Sequence, residues 1–491
     1  MLGRFFDLFG VQSEVDARSV VSKNGQRKGV VMFYTKYSIS LAITILNIFL
    51  FRKDSIFSPF KFMIIINTLY ILFPLTLFGI FDYNIEVFGN IFPSLFSDST
   101  NSYMLNMYIC FNIIILLVRF LFQKNKVNFY FINNTDHQRK DANLAFTSIL
   151  FLIIGLFFII ISILLVGGLD VYRSYSIGAT VGGDVVAQSF KSQGELMLGI
   201  FSLPLIKYFY KERKIALLSF LLIFLVSLSL LGGARKFLVF PFGFLLLLYL
   251  IDNKVSLERL FKFDDKSFLK RMLKICSLIV FFLVALALIQ NVRDGLGFVI
   301  DLKSIEKTIV HQFGFAYLVP NAFIYHNYEV LTQLNFSIID FFRLLFNAVV
   351  FCIPRFMYPN KENLLFSNTQ SFKTDFHTVG GSSFIEYFLT NSIYSVILFY
   401  FLLCLLIGYV FNLNQKKENP VYLYLYFSSL IILIWFNYNW GYVFVTKTFI
   451  IQIVLTIWFY YYVSILLEKI FSRNEVSILL EKVFSRNKLD S

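Results

Sequence analysis

Arg235 and Lys236 stand side by side after Gly232, Gly233 and Ala234, between two long apolar runs. Adjacent cations at such a place read as a ligand for a lipid-linked phosphate or pyrophosphate. Arginine offers a planar fork of donors, and the glycines let the backbone approach the anion closely. The competing reading is a pair of cations reaching out to lipid head groups. Arg173 lies among Tyr172, Ser174 and Tyr175, a setting that suits sugar or phosphate binding or, equally, a solvated loop charge. The stretch from Val292 to Glu386 is long, mixed in polarity and rich in aromatics, and it holds His311, His326 and His377 of the chain's 4 histidines. Imidazole titrates near neutral pH and is a natural proton carrier, although a lone histidine is more often structural. In the same stretch Arg355 and Lys361 lie beside Pro354 and Pro359 on irregular backbone, and His377 and Glu386 bracket Gly380-Gly381-Ser382-Ser383.

Other chemistries are unsupported. No glycine-rich nucleotide loop and no HExxH pair is present, so an ATPase, a dinucleotide enzyme or a zinc protease is not expected. Asp264 and Asp265 stand in a basic loop without partner carboxylates, so no metal and no cofactor is expected. Cys110, Cys276, Cys352 and Cys404 form no CxxC pair, which argues against a zinc site or a disulfide framework.

The elements that must position these residues are membrane spans. The chain is 57% hydrophobic and 15% charged, far more apolar than soluble domains at roughly 45–50% apolar and 25% charged. The net charge of +14 then belongs to loops that set orientation rather than to nucleic-acid binding. Apolar runs are expected to cross the bilayer at 31–51, 60–81, 103–122, 144–166, 196–210, 215–231, 237–251, 275–291, 384–411, 421–438 and 446–467. That is about eleven helices, since a crossing needs roughly 17–25 apolar residues. The start, Met1 to Phe6, lacks a long apolar core, so no cleaved signal is expected. Lys and Arg at 124–140, 211–214, 252–274 and 416–417 mark cytoplasmic loops. Residues 82–102, 168–194 and the long stretch then face outward. The basic N-terminus falls outside on this scheme, against the same rule.

The expected organisation is an N-terminal bundle over 1–291, a large outer loop with interfacial helices over 292–383, spans over 384–467 and a basic amphipathic tail over 468–491. Within the loop, Phe341 to Cys352 reads as a helix in or on the outer leaflet, with Arg343 at its head. The unit Val463 to Asn474 recurs as Val476 to Asn487, a tandem duplication whose second copy forms an interfacial helix.

The pattern resembles the repeat-unit polymerases of O-antigen and capsule, the Wzy type. The resemblance rests on Arg52-Lys53-Asp54 with Ser58-Pro59, on the Gly232-Gly233-Ala234-Arg235 hairpin, and on the large loop. That loop runs through Pro354-Arg355, Pro359-Asn360-Lys361 and Gly380-Gly381-Ser382-Ser383 to Glu386-Tyr387. It implies an all-α, GT-C-like membrane glycosyltransferase of the bacterial inner membrane, with its active site facing the periplasm. Its substrates would be undecaprenyl-pyrophosphate-linked oligosaccharides, and a chain-length regulator would be a further partner. A sugar hydroxyl attacks the anomeric carbon of another chain and undecaprenyl pyrophosphate leaves, without metal or nucleotide. Such a reaction needs cations fixed on the leaving group and a base on the acceptor. Arg235 and Arg355 take the first role with Arg173 and Lys236 assisting, His311 or His377 takes the second, and Glu386 positions sugar or loop. The O-antigen ligases share this topology, and a lipid-linked oligosaccharide flippase is the alternative from another class. Transporters tend to show internal repeats and interrupted spans, and no such symmetry is visible in the sequence.

Overall fold

The computed structural model describes residues 23–51, 58–76, 98–122, 135–174, 185–232, 236–252, 273, 276–277, 280–281, 283–289, 291, 336–350, 352–353, 393–416, 420–438, 445–446 and 448–470. Among the described residues there is no strand. We number the helices α1 (Lys23–Leu50), α2 (Pro59–Leu75), α3 (Asp98–Phe122), α4 (Thr135–Leu165), α5 (Leu169–Ser174), α6 (Val185–Lys211), α7 (Ile215–Gly232), α8 (Lys236–Asp252), α9 (Ile338–Val350), α10 (Ile393–Lys416), α11 (Pro420–Ser429) and α12 (Thr456–Ile470). Leu, Ile and Phe dominate them, and a helix satisfies its own backbone without water. Among the described residues four segments can cross a membrane by length and composition: Phe33–Leu50, Tyr103–Phe122, Asp141–Leu165 and Tyr394–Leu413. Shorter apolar helical segments lie at Pro59–Leu75, Ile215–Leu231, Leu238–Tyr249, Val421–Ile434 and Thr456–Leu467. The chain thus has the helical character of a membrane protein. Among the described residues three segments are wound as π-helix: Thr68–Leu72 inside α2, Leu430–Trp435 after α11 and Thr448–Leu455 before α12.

The helices fall into two compact units, each assembled from separate stretches of chain. The first takes Met1–Lys126, Val310–Tyr409 and Ile432–Thr448. In it α1 and α3 run parallel and α2 runs against them. Thr44 and Asn47 of α1 meet Tyr108 and Asn112 of α3 in the same order, at 2.6 and 3.0 Å. Higher on the same pair, Arg119 of α3 donates to the Leu50 carbonyl at 3.2 Å and stacks over Phe51 at 4.3 Å. This cation closes the α1 terminus, where orphan carbonyls carry partial negative charge. The Tyr108 hydroxyl also meets Thr68 of α2 at 2.9 Å, so a single phenol joins three helices. Asn67 of α2 donates to the Tyr400 hydroxyl at 2.9 Å and accepts from Tyr438. Tyr400 in turn stacks on Phe111 at 3.8 Å.

The second unit takes Val127–Ile309, Val410–Ile431 and Phe449–Ser491. Its centre is the antiparallel pair α4 and α6. Asp141 faces Lys207, Phe151 faces Phe201, Gly155 faces Gly194, and Ser162 donates to the Ala187 carbonyl at 2.8 Å. The pairs climb one helix as they descend the other. A Cβ on Gly194 would stand 2.7 Å from the Gly155 carbonyl oxygen, so this crossing requires glycine. Tyr460 of α12 closes the aromatic core, 5.4 Å from Phe151 and 5.0 Å from Phe201, with its hydroxyl 2.9 Å from that of Ser148. Gly243 of α8 admits the Phe427 ring of α11 in the same way, a Cβ there standing 3.1 Å from its tip.

Candidate functional site

Of the residues singled out by their chemistry, His311, His377, Glu386, Arg235, Arg355 and Lys361 lie outside the described residues. Arg173 and Lys236 are described in their backbone, and both belong to the second unit.

Arg173 sits in α5. Helix α4 ends at Gly167 and Gly168, whose φ of 87° and 135° only glycine adopts without strain. The Gly167 and Gly168 amides return to the Leu164 and Ile163 carbonyls at 3.2 and 3.0 Å. This turn starts α5, and the Tyr172 amide donates to the Gly168 carbonyl at 3.0 Å. A helix of so few residues has little stability of its own, and tertiary contacts hold it. Tyr172 is buried at 2% exposure. Lys191 of α6 donates to the Tyr172 carbonyl at 2.9 Å and places its ammonium 3.9 Å from the Tyr172 ring centroid. One turn on, Glu195 accepts from the Tyr172 hydroxyl at 3.4 Å. Burial raises the Tyr172 phenol above its ordinary range, and the Glu195 carboxylate adds to the shift, so the group stays a neutral donor. The carbonyl held by Lys191 belongs to the peptide that joins Tyr172 to Arg173.

Lys236 is the first residue of α8. Helix α8 packs along α6, and Tyr210 near the end of α6 lies beside Asp252 at the end of α8. The two helices therefore run the same way. Counting back equally from that tie brings α6 to Gly194 and Glu195 as α8 reaches Lys236, because each residue advances both helices equally. α5 also packs against α7, whose last residue is Gly232. The helix directions thus place Lys236, at the start of α8, toward the same half of the second unit as Lys191, Glu195 and the α5 backbone that carries Arg173. The start of α8 adds the positive end of a helix dipole. Such an arrangement can hold an anion and stabilise charge that develops on it.

The opposite end carries a second set of charges. Asp141 binds Lys207 at 2.6 Å and Lys211 at 3.5 Å, and Lys211 also acts on Asp252. These four charges balance and tie the ends of α4, α6 and α8 together.

The sequence reading places Lys191 in an open loop over 168–194, whereas the structure has α5 and the first turns of α6 there. Charged residues lower the local hydropathy and conceal the helix start. The available signal was the spacing of Lys191 and Glu195, which puts opposite charges on one helical face. No family model, no curated protein and no solved structure matches this chain.

Proposed function

We propose that the protein is a membrane glycosyltransferase of the repeat-unit polymerase kind, joining polyprenyl-pyrophosphate-linked oligosaccharides at the outer face of a bacterial inner membrane. One observation supports the reading: α5, which carries Arg173, is pinned to α6 through Lys191 and Glu195, in the half of the second unit toward which α8 begins at Lys236. In this reading Arg173, Lys236 and Arg235 stabilise the leaving pyrophosphate, with Arg355 and Lys361 as further anion ligands. The oxygen that bears the developing charge needs fixed donors, and no nucleotide is consumed because the pyrophosphate ester is already activated. Removal of a proton from the attacking hydroxyl falls to His311 or His377, with Glu386 orienting the acceptor. The fold class of this proposal is GT-C-like with about eleven spans, in keeping with the apolar length each crossing needs.

The test is a surface-glycan gel from a strain lacking the gene, complemented with wild type or with Arg173→Ala plus Lys236→Ala. Loss of the ladder, with core bearing one repeat unit and no rescue by the double variant, is the expected result. Long lipid-linked polymer that never reaches the surface would instead identify a ligase, and an unchanged ladder would overturn the glycan reading.

A flippase for lipid-linked oligosaccharides is the second reading. The three π-helical segments and the buried Asp141–Lys207 pair favour it, since interrupted spans and buried ions are the devices of transporters. Repeat units trapped on the inner leaflet of the deletion strain would select it.

A further inference from the structure

Among the groups assigned no role above, the clamp on Tyr172 stands out. Lys191 spends a buried charge on a backbone carbonyl and an aromatic face of a short helix, and Glu195 takes the phenol of the same residue. Buried at 7% and 2% exposure, both ions had to be taken out of water, which is costly unless they are paired and hydrogen-bonded. A stabilising role for the bundle does not require it, because α4 and α6 are already joined along their length by glycine packing, aromatic contacts and the Asp141 ion pair. The element that depends on the clamp is α5, and the residue that follows the clamped carbonyl is Arg173.

We propose that Lys191 and Glu195 are positioning residues that fix the Tyr172–Arg173 peptide, so that Arg173 meets a phosphate-type anion together with Lys236. This rests on the reading of Arg173 as an anion ligand. The physical reason is preorganisation. An arginine on a free loop must lose conformational freedom when it binds, whereas one on a pinned peptide has already lost most of it on folding. Lys191 is the discriminating member because its ammonium makes both the carbonyl bond and the ring contact. Arginine keeps the charge and can stack on a phenol, so Lys191→Arg should retain the clamp in part. Methionine keeps the apolar stem and loses both contacts.

The experiment uses the full chain in nanodiscs and reads two quantities. Hydrogen exchange over residues 169–174 reports on the clamp, and titration with inorganic pyrophosphate reports on the site. Wild type should protect α5 and bind pyrophosphate. Arg173→Ala should bind roughly ten- to a hundredfold more weakly with α5 still protected, the loss expected for one charge-assisted contact. Lys191→Met should lose protection across α5 and weaken pyrophosphate roughly tenfold, while Lys191→Arg recovers most of both. Should Lys191→Met fail to fold, Tyr172→Leu removes the ring instead and is expected to act in the same direction. Unchanged α5 protection in Lys191→Met, or pyrophosphate binding that falls in Arg173→Ala but not in Lys191→Met, would overturn the proposal. Loss of α5 protection in a protein that never binds pyrophosphate leaves the clamp standing and removes its role, and the fault then lies with the anion reading.

Discussion

Asp141 is 3% exposed and Lys207 1%, with 2.6 Å between their charged atoms. Deleting one member of such a pair strands the other, and its loss of hydration is then uncompensated. Asp141→Asn should therefore cost about 3–5 kcal/mol, softened by Lys211, which lies 15% exposed and can turn to water. Asp141→Asn combined with Lys207→Met removes both charges and should recover most of that loss. Thermal unfolding of the two single variants and the double in detergent checks this, and additive losses would show that the two charges are not coupled. Lys191 and Glu195 show the same economy at the other end, each ion held by a specific partner on Tyr172. Residue type alone pointed to Arg173 and Lys236, because cations beside glycine and tyrosine are unusual in apolar surroundings. It did not point to Lys191, whose meaning depends on a carbonyl that only the folded turn at Gly167 and Gly168 presents.

Helix α9 is amphipathic in an unusual sense: its apolar face is the exposed one. Ile339, Phe342, Phe346 and Val349 share that face, with Phe346 at 67% exposure, while Phe341, Asn347 and Ala348 face inward. Phenylalanines in such a stripe are stabilised by burial in hydrocarbon, each by about 1.5–3 kcal/mol, so α9 should lie in a lipid leaflet. A nitroxide at position 346 in nanodiscs should collide with oxygen more than with a water-soluble nickel chelate, and one at Asp340 should show the reverse. Preference for the nickel chelate at both positions would place α9 in water. The sequence reading of 341–352 found this helix but began it late. Ser337 accepts from the Asp340 amide at 3.2 Å and starts the helix earlier. The four long apolar helices were legible for a plain reason, that a long apolar run in lipid has little choice but helix. Helix α5 was not, since six residues carry too little periodicity to register.

The grouping of helices into two units is a property of the whole chain that local pattern could not supply. Asn67 meets Tyr400 across 333 residues of sequence, and nothing near either residue announces the other. Within each unit, however, helix direction now constrains orientation. In the second unit α5 and the first turns of α6 lie toward one end, and the loop of Lys211, Arg213 and Lys214 is at the other. Lys and Arg concentrate in cytoplasmic loops, so the α5 end should face outward, as the proposed polymerase reading requires. In the first unit α1 and α3 are parallel, so Lys23, Arg27 and Lys28 share an end with Asp98. This sets the basic start of α1 against the acidic side that the sequence assigns outward, and the charge rule gives opposite answers for the two helices. Labelling intact cells with a membrane-impermeant maleimide resolves both units at once, with single cysteines at Ser174, Lys214, Lys23 and Asp98 in a background where the four native cysteines are alanine. Labelling at Ser174 and protection at Lys214 until the cells are opened is the expected result. Lys23 and Asp98 should react alike, because the parallel pair leaves them no other choice. Reaction at Lys214 with protection at Ser174 would turn the cation cluster toward the cytoplasm, and the polymerase reading would fall with it.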